Sequence, residues 1–265
     1  MKEIVLEITD LSKTYKVTKK QQKVMNTDKR EIKAVENLTF KLYKGEIFCL
    51  LGNNGAGKTT TLRMISALIE PQSGTIKMNG NPIEENKNYV KEKIGFLTTE
   101  LKLDDFFTPN YLFDFFGKMY HMDKQEICER KEKLFNILGI NEFAEIKIKK
   151  LSTGMRQKVS IAISLVHNPE IIVFDEPTNG LDIITTREII DFLKKMKEEG
   201  KTILLSTHIF DVVDKLADRV GIMVNGRLVY CKNYKEIVLG NRLIEDIFFE
   251  VYEKEKIGFR GSDYE

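Results

Sequence analysis

The stretch GNNGAGKT, Gly52 to Thr59, follows the pattern G-x-x-x-x-G-K-[ST], and its reading decides the fold. EIFCLL, Glu46 to Leu51, reads as a short buried strand before it, and TTLRMISALI, Thr60 to Ile69, as an amphipathic helix after it. A glycine-rich turn between strand and helix is a phosphate cradle. Gly52, Gly55 and Gly57 lack a Cβ, so the backbone can turn its N–H groups inward around a polyphosphate. Lys58 brings a charge within reach of β- and γ-phosphates, and the Thr59 hydroxyl can ligate Mg²⁺. The helix that begins there points its positive dipole end at the same anion. Average residue usage gives roughly one chance in a hundred of an accidental match in a chain this long, before the flanking strand and helix are required.

A cradle of this kind needs carboxylates near it. IIVFDEP ends an apolar strand on Asp175 and Glu176, at the strand end where α/β sheets put their ligand chemistry. Adjacent side chains there can diverge, so Asp175 is assigned to the metal and Glu176 to the attacking water. KTILLST is the strand one helix later; it ends on Ser206 and Thr207, and His208 follows, positioned to donate to a γ-phosphate oxygen and hold the water or Glu176 in line. LSTGMRQKV, Leu151 to Val159, opens a further helix. Ser152 is a good N-cap and Gly154 permits close approach, which makes a second helix start suited to an anion.

The strand-helix-strand rhythm of the second half implies a mostly parallel sheet with right-handed crossovers, and the first part, EIVLEITDL and AVENLTFKLY, is β-rich. KIGFLT, Lys93 to Thr98, is expected as a core strand. From Pro109 to Leu138 the pattern turns helical and aromatic, with Tyr111, Phe113, Phe115, Phe116 and Tyr120 close together. Those rings fit either packing within a small helical subdomain or a groove for a partner helix. From Arg219 onward short strands and a charged tail are expected.

With 42 basic and 40 acidic residues the net charge is +2, so no overall field argues for nucleic acid as a partner. Residues 13–33 are locally basic, with eight Lys and Arg against Asp28 and Glu31, as a solvated hairpin loop or a contact for anionic headgroups would be. Cys49, Cys128 and Cys231 have no C-x-x-C spacing and read as free thiols of a reducing cytosol. His121, His167 and His208 share no metal-ligand spacing. The start carries no signal-peptide pattern, and runs such as IFCLL fall far short of the roughly 20 residues that cross a bilayer, so a soluble chain is expected.

The order of these motifs resembles the ATP-binding subunits of ABC transporters over nearly the whole chain. Tyr15 stands at the aromatic position that stacks on adenine, followed by GNNGAGKTT, LSTGM as the signature, IIVFDEP, TNGLD (Thr178 to Asp182) and STH. The resemblance implies an α/β P-loop NTPase fold: a RecA-like, mostly parallel core sheet, an N-terminal antiparallel β-subdomain and an inserted helical subdomain over about residues 100–165. A single ATPase domain would span 1–240, with a short charged tail over 241–265. ATP would be cradled by Gly52, Asn53, Asn54, Gly55, Ala56, Gly57, Lys58, Thr59 and Thr60. Lys58, Glu176 and His208 would carry the catalysis, with Mg²⁺ held by Thr59 and Asp175.

Members of the family pair head to tail. Ser152, Thr153 and Gly154 would close over the ATP of a second, identical subunit, with Asp182 at the seam. The helical subdomain would receive a short helix from transmembrane permease subunits at the cytoplasmic face of the membrane. The LSTGM form and the GFLTTELKL stretch look most like ATPases of ABC-2 type exporters, near the sodium-efflux, drug-export and bacteriocin-immunity branches. Thr99, beside Glu100, stands where the family commonly has a glutamine that contacts Mg²⁺, and Thr99, or Glu100 through a water, would take that contact. Asn53 and the Thr153/Met155 pair replace the more usual Pro and Gly/Gln.

Two other classes fit less well. A soluble ABC ATPase of DNA repair carries a long coiled coil, and one of translation carries two P-loops in one chain. A P-loop GTPase needs an N-K-x-D motif, whereas Asn86-Lys87 continues Asn88-Tyr89.

Overall fold

The computed structural model describes residues 2–20, 22, 28, 30–98 and 102–261, with side chains to 256. Two sheets divide the strands. Ile4–Lys16 (β1), Glu31–Tyr43 (β2), Ser73–Met78 (β4) and Asn81–Pro82 (β5) form an antiparallel sheet in the order β2-β1-β4-β5. Ile47–Leu51 (β3), Ile94–Leu97 (β6), Ile171–Asp175 (β7), Thr202–Thr207 (β8), Arg219–Val224 (β9) and Arg227–Asn233 (β10) form the second, in the order β10-β9-β3-β8-β7-β6. Its strands are parallel except β10, which folds back antiparallel on β9 at the edge.

The unbroken apolar runs of the central strands follow from burial on both faces. Along β3, Ile47, Cys49 and Leu51 face one core, and Phe48 and Leu50 the other. The same alternation sends Ile172, Phe174, Ile203 and Leu205 to the first core and Ile171, Val173 and Leu204 to the second. The second core is filled from the antiparallel sheet by Leu6, Ile8, Leu38 and Leu42, and by Leu62 and Ile65 of the helix Lys58–Ile65 (α1). The helix Lys87–Lys93 (α2) follows and leads into β6.

Helices cover the other face: Pro109–Met119 (α3), Lys124–Leu138 (α4), Thr153–Ser164 (α5), Ile183–Glu198 (α6) and Phe210–Leu216 (α7). The helical pattern over 109–138 resolves into two helices, because Asp123 and Glu126 form a reciprocal capping box that restarts the chain at Lys124. Gly139 ends α4 at φ 65°. Phe113 and Phe135 then meet edge-on, 5.3 Å between ring centres. β6 is an edge strand of the sheet, although Ile94, Gly95 and Leu97 are buried.

The segment expected as a charged tail differs. Tyr234–Leu239 (α8) and Ile244–Gly261 (α9) are helices, and Ile244, Ile247 and Phe248 of α9 are buried against the main core. Apolar residues at 244, 247, 248 and 251 make one stripe, which interleaved Glu, Asp and Lys hide in a linear reading. Phe248 meets Phe210 of α7 at 5.5 Å, ring planes 62° apart.

Candidate nucleotide site

Three parallel strands, β3, β7 and β8, deliver their carboxyl ends to one place. The chain leaves β3 at Leu51, makes the glycine-rich turn and enters α1 at Lys58. Glycine is obligatory at two points of that turn. Gly57 sits at φ 99°, and a Cβ there would lie 2.1 Å from the Ala34 carbonyl oxygen; one on Gly52 would lie 2.7 Å from that of Met223. The loop is pressed between β2 and the β9–β10 turn, where the Gly226 N–H donates to the Ala56 carbonyl at 3.0 Å.

Lys58 is 5% exposed. Its ammonium donates to the carbonyls of Gly52 (2.5 Å) and Asn53 (3.2 Å) and faces Glu176 Oε1 at 3.2 Å. That carboxylate oxygen has no well-directed hydrogen bond. The other oxygen, Oε2, lies 2.9 Å from His208 Nδ1.

Asp175 ends β7 almost fully buried. Its Oδ2 accepts from the Thr59 hydroxyl at 2.7 Å and its Oδ1 from the Ser206 hydroxyl at 2.5 Å. The two carboxylates therefore diverge, one toward Thr59 and the other toward Lys58 and His208. What turns the second is the backbone: Glu176 has φ 51°, in the left-handed region that few non-glycine residues occupy.

Tyr15, the residue of β1 paired with Ile32 of β2, lines a cavity of about 400 Å³. Asn53, Asn54, Gly55, Ala56, Gly57, Lys58, Thr59 and Thr60 line it as well, with Asp175, Glu176 and Asn179. An aromatic ring, an N–H-rich loop, a lysine and two carboxylates lining one cavity are the groups that a base, a polyphosphate and the reacting end of a nucleoside triphosphate call for. The Thr59 hydroxyl and Asp175 carboxylate are hard oxygen donors, and among the described residues no group of three His, Cys, Asp or Glu could hold a metal alone. Such a pair suits Mg²⁺, which keeps waters and takes phosphate oxygens.

Ser152, Thr153, Gly154 and Asp182 do not line this cavity. Ser152 caps α5, accepting from the Met155 N–H at 3.2 Å, and leaves its own and the Thr153 side chain exposed. Gly154 lies under Thr185, whose Oγ1 a Cβ would meet at 2.8 Å. Asp182 caps α6 through the N–H groups of Ile184 and Thr185, both at 2.9 Å, and these bonds with the Thr185 hydroxyl hold its carboxyl below the usual range. Thr185 thus joins the signature to Asp182.

Thr99 and Glu100 lie outside the described residues. Sequence reasoning gave no role to Asn179 in the cavity wall, to Gln157, whose amide donates to the Pro177 carbonyl at 2.8 Å, or to Ser206. Asn179 sits three residues after Glu176 and was within reach of a local reading. The other two contacts join segments that only the folded chain brings together.

Comparison with known proteins identifies the family. The ABC transporter family model matches residues 35–179. The ABC transporter ATP-binding protein NatA of Bacillus subtilis is 41% identical over 203 residues, 76% of this chain and 82% of that protein. The linearmycin resistance ATP-binding protein LnrL of the same organism is 37% identical over 195 residues, 74% of this chain and 63% of that protein. A solved dimeric ATP-binding cassette in a post-hydrolysis state, bound to ADP and Pi, superposes with a TM-score of 0.75 at 27% identity over 86% of this chain and 98% of its own. The chain belongs to the ABC transporter family, as an ATP-binding subunit that hydrolyses ATP.

Proposed function

We propose that two copies of this chain pair head to tail at the cytoplasmic face of a membrane and drive export through permease subunits of the ABC-2 type. The observation that carries the reading is the division of anion-binding elements on one chain. The Lys58 loop lines a cavity, while the capped helix start at Ser152 and Thr153 is exposed and does not line it. Each is half of a site, and a second copy rotated by a two-fold axis completes both.

In this reading Tyr15 stacks on the base, the backbone from Gly52 to Thr60 and Lys58 hold the phosphates, and Thr59 with Asp175 holds Mg²⁺, which neutralises phosphate charge when bound. Glu176 accepts a proton from the attacking water and His208 fixes the Glu176 carboxylate, consistent with their 2.9 Å contact. Ser152, Thr153 and Gly154 close over the γ-phosphate of the partner's nucleotide, and Asp182 lies at the seam. Thr99 is retained as a further metal contact.

A cavity of about 350 Å³ lined by Leu103, Phe107, Tyr111, Leu112, Phe115 and Phe116 supports docking of an apolar permease helix on α3. Phe107 and Tyr111 stack there at 4.4 Å with half of the Tyr111 surface exposed. Among the described residues no helix is long and apolar enough to cross a membrane, so the transport path would belong to other subunits. The likeness to a protein named for linearmycin resistance favours export. The test is Glu176→Gln with Mg²⁺ and ATP. Light scattering should give a stable dimer with turnover reduced at least a hundredfold; a monomer at saturating ATP, or near-normal turnover, would overturn the reading.

A further inference from the structure

We infer that Ser206 is a positioning residue of the hydrolytic site, a single hydroxyl that fixes the metal-side carboxylate of Asp175 and the backbone of Glu176 in one relation. The inference rests on the ATPase reading and adds to it a residue to which that reading gives no role. Ser206 is fully buried near the end of β8, directly across the parallel ladder from Asp175. Its Oγ lies 2.5 Å from Asp175 Oδ1 and 3.2 Å from the Glu176 nitrogen. An ionised carboxylate only accepts and a backbone N–H only donates, so the hydroxyl proton goes to Asp175 and a lone pair receives Glu176. The Ser206 carbonyl takes the same Glu176 N–H at 3.2 Å.

Those bonds act where the chain is under strain. A non-glycine residue at φ 51° costs free energy that its surroundings must offset, and from that backbone conformation the Glu176 carboxylate meets Lys58 and His208. Only a side chain that donates and accepts at once, small enough for a fully buried position, serves both neighbours. Serine meets both demands and threonine meets them with one added methyl. Alanine meets neither, and cysteine offers a weak donor at a longer reach.

The experiment compares Ser206→Ala, Ser206→Thr and Ser206→Cys in the full chain, by thermal unfolding, metal-free binding of a fluorescent ATP analogue, Mn²⁺ titration of nucleotide binding, and steady-state ATP hydrolysis. Ser206→Ala should keep metal-free nucleotide affinity within about threefold, raise the Mn²⁺ needed for half-saturation about tenfold, and lower kcat about 10- to 100-fold with little change in KM. Ser206→Thr should recover most of kcat. Unchanged Mn²⁺ requirement and kcat in Ser206→Ala would overturn the inference. So would losses of metal-free affinity and melting temperature in step with kcat, or a folded threonine variant no faster than alanine. If the alanine variant does not fold, threonine against cysteine decides: a faster threonine variant supports the role and equal rates reject it. A wild-type chain without metal-dependent ATP turnover would instead defeat the underlying ATPase reading.

Discussion

Lys58→Ala should weaken the fold as well as the grip on phosphate, and the two losses should separate. The Lys58 and Glu176 side chains are 6% and 10% exposed and face each other at 3.2 Å. Breaking a buried ion pair from one side costs about 3–5 kcal/mol where the remaining charge is left alone. Here Glu176 keeps His208 at 2.9 Å and Lys58 has two carbonyl partners, so the coupling within the pair is about 2 kcal/mol. Lys58→Ala alone should cost about 3 kcal/mol, since it also removes the packed aliphatic stem, and Glu176→Gln alone about 1 kcal/mol. The double variant should then lose about 2 kcal/mol where simple addition gives about 4.

Urea unfolding without nucleotide measures all three variants, and in melting temperature Lys58→Ala should fall by roughly 6–12 °C. ATP binding should be lost in both variants that lack Lys58, including the double variant, which is more stable than Lys58→Ala by about 1 kcal/mol. Additivity within about 0.5 kcal/mol would mean that the pair carries no energy, and ATP affinity surviving in Lys58→Ala would refute the cradle itself.

Two further perturbations reach other parts of the molecule. His167, stacked on Tyr120 at 4.1 Å with Nε2 donating to the Ile94 carbonyl at 3.2 Å, is pushed down to about 4 by burial, with Arg130 and Lys201 adding to the shift. The unfolded chain binds a proton there near 6.5 and the folded chain only near 4. Stability is therefore fully present above about 6.5 and falls as pH drops through that window, by about 3 kcal/mol in all. His167→Gln should flatten that part of the stability–pH curve, and an unchanged slope would count against the assignment. Phe248→Ala, at a site 8% exposed beside Phe210, should destabilise by about 3 kcal/mol in urea unfolding; a loss below about 0.5 kcal/mol would mean that α9 is not docked.

What the sequence could be read for, and what it could not, divides along local and non-local structure. The phosphate loop, the two carboxylates and the capped start of α5 were legible because each is a few consecutive residues whose type and spacing carry the chemistry. The separation of the two anion-binding helix starts followed from chain order plus a family resemblance. Ser206 was visible only as part of a strand end: its pairing with Asp175 depends on β7 and β8 being neighbours, which no spacing between residues 175 and 206 specifies. The left-handed backbone at Glu176 leaves no mark in its side chain, since glutamate is not a residue that signals positive φ. α9 escaped because its apolar stripe is interleaved with charges, and a net reading of composition outweighed a period of 3.6. β6 was legible as a core strand, but not its place at the sheet edge, because its burial comes from the elements packed around it rather than from strands on both sides.

The central claim is that the Lys58 loop of one copy and the Ser152 helix start of another grip the same nucleotide. Cysteine placed at Asn54 in one population and at Ser152 in another, in a Glu176→Gln background with the exposed Cys128 and Cys231 replaced by serine, tests it by oxidative cross-linking of the mixture. The account requires a heterodimeric cross-link that forms with Mg²⁺ and ATP and disappears with ADP. No cross-link at saturating ATP, or one equally strong without nucleotide, would contradict it.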